Sequence, residues 1–132
     1  MRTYKFDPEF AFNRIKLQWT DFSKRTGAKK WIIGNSGGKD SDVCIHLAAK
    51  IFGPENVYAL AMPNGEQADA CDADEVAKIT KVHPCLININ ELYNNMMRGY
   101  TRDTGFQPSK DAMINLGPRL RMAALYFYGS CF

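Results

Sequence analysis

The residues Ser36-Gly37-Gly38-Lys39-Asp40-Ser41 combine features that could bind a phosphate group, and they closely follow the apolar run Trp31-Ile32-Ile33. Glycine has no Cβ, so two adjacent glycines let the backbone turn tightly and bring its N–H groups close to an anion. If a helix begins here, its first N–H groups lack partners within the helix and lie at the positive end of the helix dipole. The hydroxyls of Ser36 and Ser41 could donate hydrogen bonds, and the ammonium group of Lys39 could neutralise phosphate charge.

Asp40 extends this chemistry to a metal ion. A carboxylate would repel a bare phosphate, but it is favourable when a Mg²⁺ ion lies between it and the phosphate oxygens. The six residues therefore point to a nucleotide phosphate bound together with a metal. Their spacing differs from the Walker A pattern GxxxxGK[ST] and from GxGxxG. A simpler interpretation stays open, in which this is a strand-to-helix turn with Asp40 or Ser36 as the helix cap.

Apolar periodicity and turn residues predict the elements that must position this loop. We expect helices at 8–26, 42–52, 68–82, 91–100 and from about 115–118 to 128, strands at 30–35, 57–62 and 85–89, and a polar loop at 101–110. The alternation of strand and helix indicates an α/β fold, a parallel sheet with helices on both faces. Ligands of such sheets bind beyond the carboxyl ends of the strands. Those ends would hold residues 34–42, residues 62–69 and the residues from 90 onward.

Length and composition predict one ordinary globular domain over residues 1–132. The chain is 45% hydrophobic and 23% charged, and its net charge of +3 with scattered basic residues argues against a nucleic-acid partner. No apolar run approaches the roughly 20 residues of a membrane span, and the first residues lack the apolar segment of a signal peptide. The four cysteines form no CxxC pair, and Cys44 and Cys85 are predicted in apolar settings. We therefore expect a reduced, cytoplasmic protein that does not contact a membrane.

The loop resembles the SGGxDS signature of the N-type ATP pyrophosphatases, a Rossmann-like fold of the adenine nucleotide alpha hydrolase type. Two further stretches, MPNGEQADACDA at 62–73 and NLGPRLRM at 115–122, resemble segments of the ammonia-dependent NAD synthetases within that superfamily. The resemblance extends from about residue 20 to residue 128. Three positions depart from the family pattern: Lys39 stands where Gln is common, Ala61 where a basic residue is common, and Pro118 where Ala is usual.

Family members are about twice as long as this chain. The resemblance therefore implies that residues 1–132 form an incomplete N-type ATP pyrophosphatase domain, the N-terminal half only. The remaining strands would lie beside the first strand. Its open edge favours pairing, and we expect a homodimer.

The resemblance also implies a reaction, ATP-dependent amidation of deamido-NAD by ammonia, which gives NAD, AMP and pyrophosphate through an adenylated intermediate. The implied site residues are Gly34, Ser36, Gly37, Gly38, Ser41 and Gln67 for ATP, Asp40 for Mg²⁺, Asp40 and Lys39 for catalysis, and Asn115 and Arg119 for deamido-NAD. Two alternatives stay open. The chain could be another adenylating amidotransferase or tRNA-modifying enzyme of the superfamily, or an inactive nucleotide-binding fragment.

Several chemically capable residues are interpreted without a catalytic role. The acidic residues at 69–75 would complement a helix N-terminus. His46 would lie on a solvated helix face, His83 in a loop, and the pair Met96-Met97 in the core. Arg119 and Arg121 are two residues apart, about 200° around a helix, so they cannot reach one ligand together. Arg119 is assigned to the substrate side, and Arg121 to a neighbouring element, a second subunit or the bare surface.

Overall fold

A computed structural model describes residues 5–65 and 70–132, with only the backbone for residues 70–74. The elements in chain order are α1 (Pro8–Thr26), β1 (Trp31–Asn35), α2 (Lys39–Phe52), a short 3₁₀ helix (Pro54–Asn56), β2 (Val57–Ala61), α3 (Ala70–Thr80), β3 (His83–Leu86), α4 (Asn90–Thr104) and α5 (Lys110–Ser130). The strands form a parallel sheet in the order β1-β2-β3, with Asn35 level with Ala61 and Leu60 level with Cys85. The predicted parallel α/β architecture is confirmed.

One face of the sheet is covered by α1, α2 and α3. The buried residues of this face are Ile45, Ala48, Val57, Ala59, Val76, Ala77 and Val82. Trp19 of α1 stacks on Trp31 at a ring-centroid distance of 5.9 Å, and Trp31 stacks on Phe52 at 4.2 Å. The aromatic stack ties the first helix to the start of β1 and the end of α2, so the helix that carries the glycine loop is held at its far end.

The opposite face is covered by α5. Leu60, Met62 and Ile89 form its buried centre, and Ile32, Cys85, Ile87, Leu120, Ala124, Leu125 and Tyr128 pack around them. Burial raises the pKa of the Cys85 thiol above its ordinary value. Helices therefore lie on both faces of the sheet. The carboxyl ends of the strands remain between the two helical layers, as the parallel architecture requires.

The third strand begins two residues earlier than expected. His83 was predicted in a loop but lies in β3, where its ring stacks on Tyr58 at 4.7 Å. Pro84 is tolerated because, within the described sheet, β3 lies at an edge, where one side of the strand needs no ladder hydrogen bond. The pairing continues past the strand, since Ile87 N–H donates to the Ala61 carbonyl at 3.0 Å.

The last two helices are longer than predicted. Gly105 (φ 74°) ends α4 in the left-handed conformation, so the helix extends four residues past Tyr100. Ser109 starts α5 by accepting a hydrogen bond from Ala112 N–H at 3.2 Å. Pro118 therefore lies inside a helix rather than in its first turn. The expectation of a later start was wrong because it relied on proline as a start signal and overlooked the serine cap.

Two interpretations of single side chains were also wrong. Cys44 is exposed on α2 rather than in an apolar setting, because the buried stripe of this helix is centred on Ile45 and Ala48. Met96 is not core, since 55% of it is exposed. Met96 and Met97 instead line a cavity of about 400 Å³ between α4 and the start of α5. Among the described residues, none of the helices combines the length and apolarity needed to cross a membrane.

Candidate functional site

The glycine loop connects the carboxyl end of β1 to the first turn of α2, as the sequence predicted. Gly37 has φ of 72°, a conformation that favours glycine, and Gly38 occupies the N-cap position of α2. The first intrahelical hydrogen bond runs from Asp42 N–H to the Gly38 carbonyl at 3.1 Å. The N–H groups of residues 39–41 precede that bond, and α2 has no side-chain cap. The interpretation that Asp40 or Ser36 caps the helix is therefore wrong, and these N–H groups can receive an anion.

The two serine hydroxyls organise the loop. Ser41 Oγ donates to the Gly38 carbonyl at 2.7 Å and lies 3.1 Å from Ser36 Oγ. Ser36 Oγ in turn accepts a hydrogen bond from Gly38 N–H at 3.3 Å. The side chains proposed to contact a phosphate thus also fix the shape of the turn. Their hydroxyls lie at one end of the sheet, next to the open N-terminus of the helix.

Asn35 is a loop residue that the sequence analysis did not assign. It is 5% exposed, the buried polar residue of the described chain, and its Oδ1 accepts a hydrogen bond from Gly37 N–H at 3.2 Å. A buried amide is costly unless it is hydrogen-bonded, so its position is closely defined. The available signal was an asparagine at the last position of an apolar strand, directly before the serine. Through this hydrogen bond, the Asn35 side chain supports the left-handed conformation of Gly37.

Lys39 and Asp40 are the first two residues of α2, and both side chains are exposed. Among the described residues, no group of three or more metal-binding side chains could form a metal site alone. Mg²⁺ in nucleotide sites usually takes one or two carboxylates and completes its shell with phosphate oxygens and water. The exposed carboxylate of Asp40, beside two hydroxyls and an open helix N-terminus, fits that kind of shared site.

A second rim of the site lies after β2 and β3 and is built from asparagines. Asn88 accepts from Gly65 N–H at 3.2 Å and from Asn90 N–H at 3.0 Å through its Oδ1. Asn90 Nδ2 donates to Asn64 Oδ1 at 3.2 Å and Asn94 Nδ2 donates to Asn90 Oδ1 at 2.8 Å. This asparagine network fastens the loop at 63–65 to the start of α4. Sequence reasoning missed it because the two bonds that fasten the loop, Gly65 to Asn88 and Asn90 to Asn64, link residues 23 and 26 positions apart.

Arg121 connects α5 to the end of β2. Its Nε donates to the Met62 carbonyl at 2.9 Å, and the residue is half-buried. The Met62 side chain reaches back to the loop, with its Cε 3.3 Å from the place where a Cβ on Gly34 would lie. Of the interpretations left open for Arg121, the structure supports contact with a neighbouring element.

The other residues implied by the resemblance are more widely spread. Asn115 and Arg119 are exposed on α5, and Asn115 Nδ2 donates to the Asp111 carbonyl of its own helix at 2.8 Å. Gln67 lies outside the described residues, as does Asp69 of the acidic group. His46 is exposed on α2, as expected, and its Nδ1 lies 2.9 Å from the Asp42 carbonyl. The structure thus brings residues 34–41 together, and Asn115 and Arg119 lie exposed on α5.

Comparison with known proteins identifies the family. The sequence profile described as NAD synthase matches residues 11–132, nearly the whole chain. The chain belongs to the NAD synthase family. Over 124 residues it is 36% identical to an NH₃-dependent NAD⁺ synthetase of Thermococcus kodakarensis, a match that covers 94% of this chain and 47% of that protein.

Two solved structures agree with the fold. An NMN synthetase of Francisella tularensis is 28% identical with a TM-score of 0.83, over 97% of this chain and 52% of that one. A glutamine-dependent NAD⁺ synthetase of Acinetobacter baumannii, solved with ADP, is 26% identical with a TM-score of 0.84, over 100% of this chain and 26% of that one. The chain thus spans about half the length, or less, of these relatives.

Proposed function

We propose that this chain acts in the ATP-dependent amidation of deamido-NAD to NAD, with ammonia as nitrogen donor and AMP and pyrophosphate as products. The observation that carries the proposal is the loop at the end of β1, whose serine hydroxyls and open helix N-terminus lie in a chain whose family is NAD synthase. Residues 1–132 would belong to one N-type ATP pyrophosphatase domain. A cytoplasmic location and a homodimer are part of the same proposal.

ATP would bind with its phosphates at the N-terminus of α2. Backbone N–H groups of residues 39–41 and the hydroxyls of Ser36 and Ser41 would donate to phosphate oxygens, while Gly34, Gly37 and Gly38 keep the backbone compact enough for close approach. Lys39 would neutralise charge from the rim. Asp40 would hold Mg²⁺, which supplies charge neutralisation on the phosphates when bound. By the resemblance, Gln67 would also contact ATP.

The chemistry requires no covalent nucleophile from the protein. A carboxylate oxygen of the nicotinate group attacks the α-phosphorus of ATP, the bond between that phosphorus and the bridging oxygen breaks, and pyrophosphate leaves. Ammonia then attacks the carbonyl carbon of the adenylate, loses a proton, and displaces AMP. The residues of this chain would contribute by orienting the reactants and by holding the leaving pyrophosphate at Lys39 and the α2 N-terminus. Asn115 and Arg119 would bind deamido-NAD.

The test is NAD formation by the 132-residue chain supplied with ATP, Mg²⁺, deamido-NAD and ammonia, with Asp40→Ala as the control. NAD that forms only when Asp40 is intact supports the proposal. Binding of ATP and deamido-NAD without NAD supports the binding role and refutes turnover by this chain alone. Absence of both turnover and binding overturns the proposal.

The likeness to an NMN synthetase suggests a second substrate for the adenylation step, which the same assay can test. Nicotinate mononucleotide in place of deamido-NAD presents the same carboxylate without the adenylyl half. Release of pyrophosphate with the mononucleotide but not with deamido-NAD would keep the reaction class and change the substrate. Pyrophosphate release with deamido-NAD alone supports the proposal as stated.

A further inference from the structure

The guanidinium group of Arg121 has one N–H donor with a described acceptor and four N–H donors with none among the described residues. Nε–H is bound to the Met62 carbonyl at 2.9 Å. Nη1 lies over Gly117, the buried glycine one turn earlier on α5, at 3.4 Å from the position a Cβ would take there. The side chain therefore runs back along the helix toward the end of the sheet rather than out into solvent.

The terminal nitrogens have no acceptor within the part of the chain that the structure describes. The described ion pairs of arginine are Arg25 with Asp21 and Arg102 with Asp103, both on exposed surfaces. Arg121 is half-buried, and its described hydrogen bond is the one to Met62. A half-buried guanidinium with four N–H donors that no described residue accepts is free to hydrogen-bond an anion, which it would hold more strongly than it holds water.

The location of the group identifies the chemistry of that anion. Asn35 and Ala61 are the last paired residues of the β1–β2 ladder, and Met62 and Ser36, the first hydroxyl of the glycine loop, directly follow them in the chain. The Met62 side chain also contacts the position of Gly34. Arg121 is thus anchored to the strand end beside the loop. A planar guanidinium is the side chain best suited to hold two oxygens of one phosphate group.

We propose that Arg121 is a ligand-binding residue whose terminal nitrogens contact a phosphate oxygen of the bound nucleotide, while its Nε fixes the group to Met62. The inference rests on the proposed function, because it presumes that a nucleotide occupies this edge of the sheet. The anchor of Arg121 at Met62, at the same end of the sheet as the glycine loop, favours ATP as the source of the phosphate. It gives Arg121 a role that the sequence analysis did not assign, while Arg119, which is exposed on α5, keeps its proposed contact with deamido-NAD.

The decisive variant is Arg121→Gln. The glutamine Nε2 falls where the arginine Nε is, so the hydrogen bond to the Met62 carbonyl can persist while the charged end is removed. Arg102→Gln is the charge control, since it removes the same charge from an exposed ion pair on α4, at a residue with no proposed ligand. Binding of ATP with Mg²⁺, and separately of deamido-NAD, is measured by calorimetry on the full chain, and unfolding is followed by heating.

We expect Arg121→Gln to weaken ATP binding at least tenfold, the effect of losing a charge-assisted hydrogen bond, with a thermal midpoint close to that of the wild type. Loss confined to deamido-NAD would support the phosphate contact and assign it to the dinucleotide. Wild-type affinity for both probes in Arg121→Gln, or an equal loss in Arg102→Gln, overturns the inference and leaves the proposed function standing. A wild-type chain that binds neither probe overturns both.

Discussion

Ser41 Oγ lies 3.1 Å from Ser36 Oγ and 2.7 Å from the Gly38 carbonyl oxygen, so one hydroxyl joins the two ends of the glycine loop. Ser36 N–H also points at Ser41 Oγ, at 3.4 Å. The loop is therefore held closed by its own side chains. A phosphate that binds here meets donors already arranged around the helix N-terminus, which lowers the ordering cost of binding.

Removal of this hydroxyl gives the first prediction. Ser41→Ala deletes the bond to Gly38 and the two contacts with Ser36, so ATP affinity should fall about tenfold, which corresponds to one or two hydrogen bonds. Calorimetry with ATP and Mg²⁺ measures the change. Ser130→Ala is the control, because the described hydrogen bond of Ser130 Oγ stays within its own helix, at the Tyr126 carbonyl. Equal affinities for Ser41→Ala and the wild type would contradict the role of the hydroxyl.

Removal of the Asp40 carboxylate should change ATP affinity in opposite directions without and with Mg²⁺. Without a metal ion, Asp40→Asn should bind ATP more tightly than the wild type does, because a repulsion of about 1 kcal/mol between exposed charges is removed. With Mg²⁺ the order should reverse, since the amide is a poorer ligand for a hard cation. ATP titrations with and without Mg²⁺ measure both effects.

Asp42→Asn supplies the matched control for Asp40→Asn. It removes the same charge from the same first turn of α2 and therefore changes the helix dipole interaction equally. Asp42 Oδ1 is buried without a hydrogen-bond partner among the described residues, so it is not presented to the loop surface as Asp40 is. A Mg²⁺ effect lost equally in both variants would show that the loss comes from the helix charge and would refute Asp40 as the metal ligand.

The sequence sufficed to predict the loop and its supports because they are local. A strand, two glycines and a helix start follow one another within residues 31–52, and each has its own signal of propensity or periodicity. The parallel arrangement then follows from the order of elements. The same reasoning placed Gly34, Ser36 and Ser41 at the carboxyl end of β1, where the structure has them.

Contacts between distant segments could not be predicted in this way. Arg121 and Met62 are separated by 59 positions, and no periodic pattern pairs them. The asparagines of the second rim carry a turn signal singly but show their shared network only in three dimensions. The predicted start of the last helix near Pro118 was wrong for a different reason. The packing of α5 on the sheet outweighs the local cost of a proline within the helix.

Two glycines allow the packing around the loop to be tested by stability. A Cβ at Gly34 would lie 3.3 Å from Met62 Cε and 3.4 Å from Leu125 Cδ1, whereas a Cβ at Gly99 in α4 would meet nothing within 4 Å. Gly99→Ala should raise the free energy of unfolding by about 0.5–1 kcal/mol, the usual gain within a helix. Gly34→Ala should lower it by about 1 kcal/mol, because the core must shift. Urea denaturation measures both, and a stabilised Gly34→Ala would refute the close packing.

Pro118 gives the last prediction. It lies within the 21-residue helix α5 and has no N–H, so the Ile114 carbonyl loses its partner four residues on. Pro118→Ala restores that donor at an exposed position and should stabilise the chain by as much as about 3 kcal/mol. Pro108→Ala, in the loop before α5, should instead lower stability by about 0.5 kcal/mol, because the unfolded chain gains freedom. Thermal unfolding of the two variants should therefore shift in opposite directions. A lower midpoint for Pro118→Ala would mean that the proline ring itself contributes packing that the alanine cannot replace.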